Sequence, residues 1–155
     1  MTWAFLIERY ASINWAGPYF AMAFAIEALL LGLIGVAGGW LSLRADLRWS
    51  GCTGVGLFLF ALLIQPLIGP LLGRAPSQME VFGVAPDPTV VATLGLLVLA
   101  NHGSKWLLLA IPTLWSVISG ATTWAMGAPD ALVMPVAAAL AVGAALLSRA
   151  GRSAA

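Results

Sequence analysis

The chain is poor in charge: only 8% of its 155 residues are Asp, Glu, Lys or Arg, against about 25% in soluble domains. It has one cysteine, Cys52, and one histidine, His102. A lone cysteine forms no intramolecular disulfide, and without a Cys/His cluster there is no zinc-ligand set. Haem ligation at His102 would want further ligands that the sequence does not supply. The seven Lys/Arg and six Asp/Glu are scattered, so there is no basic stripe for nucleic acid. No Ser-His-Asp arrangement, phosphate-cradling glycine loop or HExxH motif occurs. Catalytic residues, metals and cofactors are therefore not expected. Residues 1–15 carry Glu8 and Arg9 where a secretory signal would have a basic n-region, and no cleavable signal peptide is expected.

What fills the sequence instead is apolar: 61% hydrophobic residues and a mean hydropathy of +0.99. Such a chain is expected to be an all-α, polytopic membrane helix bundle with the lipid bilayer as its first partner. Apolar runs predict five transmembrane helices, over roughly Pro18–Leu41, Gly54–Gly73, Pro88–Asn101, Trp106–Met126 and Ala131–Ser148. The polar Asn-His-Gly-Ser-Lys at 101–105 reads as a turn. Trp3, Leu6, Ile7 and Tyr10 suggest an interfacial helix in residues 1–15, followed by one helical domain over 16–150 and a short tail over 151–155. Arg44, Arg48, Lys105, Arg149 and Arg152 collect on one side, with Arg9 and Arg74 on the other. The positive-inside rule then places the N-terminus outside and the C-terminus in the cytoplasm, taking the membrane as a bacterial inner membrane.

The third helix is short. Fourteen residues from Pro88 to Asn101 span roughly 21 Å against a hydrocarbon core of about 30 Å. A Pro-rich, partly re-entrant segment is expected to complete the depth, with Asp87 as N-cap, Pro88 in the first turn and Gly83 permitting the turn back. Such a helix start either binds an anionic group or simply caps itself. Glu27 and Gln65 sit at similar depth in the first two helices, so they either form a polar clasp or mark a pathway. Glu27, Gln65, Asp87 and Thr89 are the candidate polar site. The Ala-Pro-Asp at 85–87 recurs at 128–130 and reads as two helix N-caps.

In the fourth helix Ser116 and Gly120 form a small-xxx-small pair expected to pack on a neighbouring helix. Pro112 is expected to kink it. The fifth, nearly all Ala, Val, Leu and Gly, reads as a lipid-facing or subunit-packing helix. "PLIGPLLGRAPSQMEVFGVAPDPTVVATLGLLVL" followed by "LLLAIPTLWSVISG" resembles a bacterial family of uncharacterised multi-pass membrane proteins. Its motif Phe-Gly-x-x-Pro-x-Pro-Thr maps to Phe82, Gly83, Pro86, Pro88 and Thr89, and its Ile-Pro-x-Leu-Trp to Ile111, Pro112, Leu114 and Trp115. The resemblance implies a cysteine where this chain has Asp87, and additional leading spans that partner helices would replace. It implies an architecture and no activity. The expected function is a small non-catalytic subunit that packs against other membrane proteins or against itself as a homo-oligomer. The alternative is a proton or small-solute transporter or channel with an outward-facing polar site around Glu27 and Asp87.

Overall fold

A computed structural model of the chain describes residues 17–37, 49–100 and 105–153. Among these residues all regular structure is helical. Helix α1 covers Gly17–Leu30 and continues in wider π turns over Leu31–Ala37. Helix α2 runs over Trp49–Leu71, α3 over Pro86–Leu99, α4 over Lys105–Ala125 and α5 over Val133–Ser153. The five expected helices are present, with α2 opening at Trp49 rather than Gly54 and α5 running past Ser148. The helix expected in residues 1–15 and the turn expected around His102 lie outside the described residues. By length and composition Pro18–Gly35, Trp49–Leu71 and Lys105–Ala125 can each cross a bilayer, while Pro86–Leu99 and Val133–Ser148 are apolar but shorter.

The short α3 is the axis of the bundle. Val90, Val91, Leu94 and Leu97 on it are 0–1% exposed, and α2, α4 and α5 all pack against it. A helix covered from three sides needs no polar face, and beyond its first turn only Thr93 interrupts the apolar run, its hydroxyl donating to the carbonyl of Thr89 at 2.8 Å. The tightest contact is with α2, and it depends on missing side chains. A Cβ on Gly95 would lie 2.7 Å from the carbonyl oxygen of Gly54 and 2.8 Å from the amide nitrogen of Phe58. Small residues let helix backbones approach, and dispersion forces then act over the whole contact.

Midway along α2, Phe60–Ile64 widens into a π turn. Pro66 follows it. A proline has no N–H for the carbonyl four residues back and its ring crowds that carbonyl, so widening the turn before it relieves the clash without ending the helix.

The alanine-rich α5 departs from expectation. Ala137, Ala138, Ala141, Ala144 and Ala145 are all buried in the core, while Val136, Leu140, Leu146 and Leu147 face outward. The helix is not mainly a lipid-facing element; its small face lets it sit close to its neighbours. Gly120 of α4 meets it directly, since a Cβ there would be 2.6 Å from Cδ of Pro135. Ser116, fully buried, donates to the carbonyl of Pro112 within its own helix at 2.8 Å. At the opposite end of α5, Nζ of Lys105 donates to Oγ of Ser148 at 3.2 Å.

Helix α1 stands apart from the other four. Phe20 and Phe24 set their rings edge-on to Trp115, with centroids 5.0 and 5.1 Å away. The other side of α1 exposes Tyr19, Met22, Ile26, Leu29 and Leu33, a stripe at helical spacing.

Candidate functional site

At one end of the bundle α2 and α4 stop, and α3 and α5 begin. Both stopping helices use the same device. Gly73 has φ +84° and Gly127 φ +70°, the left-handed conformation that side chains disfavour. After Gly73 the amide of Arg74 returns to the carbonyl of Gly69 at 2.9 Å and that of Gly73 to Pro70 at 3.0 Å. After α4 the amide of Ala128 returns to Thr123 at 2.9 Å and that of Gly127 to Trp124 at 2.8 Å. This is the Schellman pattern twice over. It sends the two connections toward each other, and Nη2 of Arg74 donates to both carboxylate oxygens of Asp130 at 2.7 and 2.8 Å. Arg74 is 35% exposed, so solvent screens this pair and its net contribution is small.

Asp87 sits beneath that clasp and is not the cap the sequence suggested. Helix α3 starts one residue earlier: Ala85 is the N-cap, Pro86 opens the first turn and no side chain caps the end. Instead Oδ1 of Asp87 accepts from Nε1 of Trp115 at 2.7 Å, and Oδ2 from Oγ of Ser119 at 2.8 Å. Two donors from α4 outcompete the local amides, because a capping hydrogen bond is available to water or a neighbour whereas a buried indole N–H has few other partners. Asp130 likewise turns to Arg74 rather than capping α5. Thr89 donates to the carbonyl of Ala85 at 2.6 Å and accepts from the amide of Gly83 at 2.9 Å, fixing the turn where Gly83 has φ +79°. Pro86 and Pro88 are buried, and Phe82 meets Phe58 of α2 edge-on at 6.3 Å.

Between these groups lies a cavity of about 50 Å³, lined among others by Gln65, Arg74, Gln78, Glu80, Asp87 and Asp130. A bound water needs roughly 10–15 Å³ measured this way, so a few water-sized occupants fit and a drug-sized one does not. Of the candidate polar site, Gln65 and Asp87 line this cavity; Glu27 and Thr89 do not. Glu27 is 4% exposed and neither of its oxygens has a hydrogen-bond partner. The clasp between Glu27 and Gln65 is not formed. Gln65 turns its amide nitrogen to the sulfur of Met134 at 3.8 Å, leaving its own oxygen unpaired. Its contact is set by α5, which the comparison of depths in α1 and α2 left out. No group of three or more His, Cys, Asp or Glu among the described residues is arranged to hold a metal ion.

Sequence reasoning missed Arg74, Glu80 and Asp130 as a group. The signal was present in the recurring Ala-Pro-Asp, whose two aspartates both line the cavity. Glu80 lies on the connection before α3, outside the helices. Part of its surface is open, yet the protein crowding its carboxyl pushes its pKa up to about 7; Asp87 and Asp130 add to the rise and Arg74 opposes it. For a carboxyl with a raised folded-state value, the native chain holds a proton that the unfolded chain has released. Stability therefore falls as pH rises from about 4.5 toward about 7 and stays lower above it. Melting temperatures in detergent between pH 5 and pH 8 are expected to show this fall, and Glu80→Gln to flatten it; an unchanged slope in the variant would assign the effect elsewhere.

No curated protein and no solved structure matches the chain. Over residues 6–154 it matches the family of unknown function DUF6064, and it belongs to that family.

Proposed function

We propose that this protein is a small, non-catalytic integral membrane protein that serves as an accessory or packing subunit of a larger inner-membrane complex, or assembles with copies of itself. The observation that carries this reading is where its most chemically capable residues are engaged. Asp87 is held by Trp115 and Ser119, and Thr89 by Gly83 and Ala85. The motif residues thus join helices and turns rather than presenting reactive atoms. The apolar stripe of α1 and the outer face of α5 point away from the bundle, toward lipid or neighbouring helices. The orientation that goes with this reading has the N-terminus outside and the C-terminus in the cytoplasm, supported by the Lys/Arg bias between connections.

The test is purification of the tagged chain from its native membrane in mild detergent, sized by native gel and identified by mass spectrometry. Stoichiometric recovery with other membrane proteins, or as a defined homo-oligomer, is expected. Recovery as a lone monomer would remove the reading. A second reading, passage of protons or a small solute, is favoured by two unpaired buried groups, the Glu27 carboxyl and the Gln65 amide oxygen; intramembrane acids of this kind mark pathways. On that reading Glu27→Gln and Asp87→Asn abolish flux in proteoliposomes while leaving assembly intact.

A further inference from the structure

The charged groups around the cavity do not balance. Three carboxyl groups, Glu80, Asp87 and Asp130, line it together with one cation, Arg74. Nη2 of Arg74 is already engaged with Asp130. The hydroxyl of Thr123, also in the lining, donates back to the carbonyls of Ser119 and Gly120. The amide of Gln78 and the remaining N–H groups of Arg74 are the other donors of the lining; three carboxyl groups still face one cation, so negative charge is in excess once Glu80 has ionised.

Gln65 is an independent sign that a donor belongs in the cavity. It lines the cavity, is only 6% exposed, and its Oε1 is buried without a partner. A thioether sulfur accepts but does not donate, so the contact with Met134 fixes the amide with its nitrogen toward the sulfur and its oxygen turned elsewhere. Buried acceptors are normally paired. An occupant that would pair this one must bring N–H or O–H donors, and one that offsets the carboxyl groups must bring positive charge.

Size and geometry narrow the class. A space of about 50 Å³ takes one small ion together with a few waters and no large solute. A bare divalent metal draws six or more oxygens to about 2.0–2.6 Å, and no acidic group of that kind is assembled among the described residues. An N–H···O contact spans about 2.7–3.2 Å, which lets a tetrahedral donor reach acceptors too far apart for a metal. We propose that the cavity is a binding site for a small ammonium-type cation, ammonium itself or methylammonium, held by Oε1 of Gln65, by the carboxylate of Glu80 and by the carboxyl oxygens of Asp87. The site stands independently of the subunit reading and serves equally a lone chain or an assembled one.

The test is thermal unfolding of the full chain in detergent at pH 8, where Glu80 is ionised, with ammonium, methylammonium, sodium or tetramethylammonium chloride at constant ionic strength. Ammonium and methylammonium are expected to raise the melting temperature along a saturating curve. Sodium has no N–H donors, and tetramethylammonium has the charge without donors and is too large; neither is expected to saturate. Glu80→Gln, on an exposed connection, and Gln65→Leu, which removes the unpaired amide oxygen, are each expected to raise the ammonium midpoint tenfold or more. Equal shifts in all four salts, no shift with ammonium, or a wild-type midpoint in Glu80→Gln would overturn the site.

Discussion

Gly95→Ala is expected to destabilise the bundle by about 3 kcal/mol or more, the upper end of what overpacking a core costs. Gly56→Ala on the facing helix is expected to be neutral or stabilising by up to about 1 kcal/mol. Both changes place alanine in a helix interior and gain the same intrinsic propensity, so the difference isolates packing. A Cβ on Gly95 meets the backbone of α2, at Gly54 and Phe58, at 2.7 and 2.8 Å, whereas one on Gly56 meets nothing within 4 Å. Backbone atoms in a continuous helix have no rotamer to escape into. The whole α2–α3 contact must open, and with it the burial of Leu57 and Leu94, which belong to the same core cluster. Reversible unfolding in mixed micelles, followed by circular dichroism, measures both variants. Equal stability of the two would mean that the helices are not held at this separation.

The helices themselves were legible because an apolar run of about twenty residues is a local property. Pro86 and Pro88 marked the start of α3 for the same reason, since a ring that fixes φ and lacks an N–H acts on its own segment. What escaped was set by partners distant in sequence. The N-cap reading of Asp87 was sound as local chemistry, but its carboxyl is taken by Trp115 and Ser119, 28 and 32 residues onward. The alanines of α5 carry no polar periodicity from which an inward face can be read, and their burial follows only from the neighbours that α5 meets. Glu27 and Gln65 were placed by depth along two helices, and depth says nothing about rotation about each helix axis. The cavity was the least legible feature, because it depends on two Schellman turns bringing Arg74 and Asp130 together across 56 residues. Its one sequence trace was the repeated Ala-Pro-Asp.

Trp115→Ala is expected to cost about 3–5 kcal/mol, the range for deleting a buried large aromatic, because the ring at 8% exposure joins three helices at one point. It contacts Phe20 and Phe24 of α1 and donates to Asp87 of α3. Trp115→Phe separates the two roles: the edge-on aromatic contacts survive in large part while the donor is lost. If Asp87 is a carboxylate, that loss is expected to cost about 1.5–3 kcal/mol, as for hydrogen bonds to charged groups. A double-mutant cycle with Asp87→Asn reads the pair directly, since contacting residues show coupling and independent ones add. A coupling near 0.6 kcal/mol, the average for polar pairs between membrane helices, would assign a neutral carboxyl to Asp87. Strict additivity would show that the indole and the carboxyl do not support one another, and the start of α3 would then be joined to α4 at this point by ring packing alone.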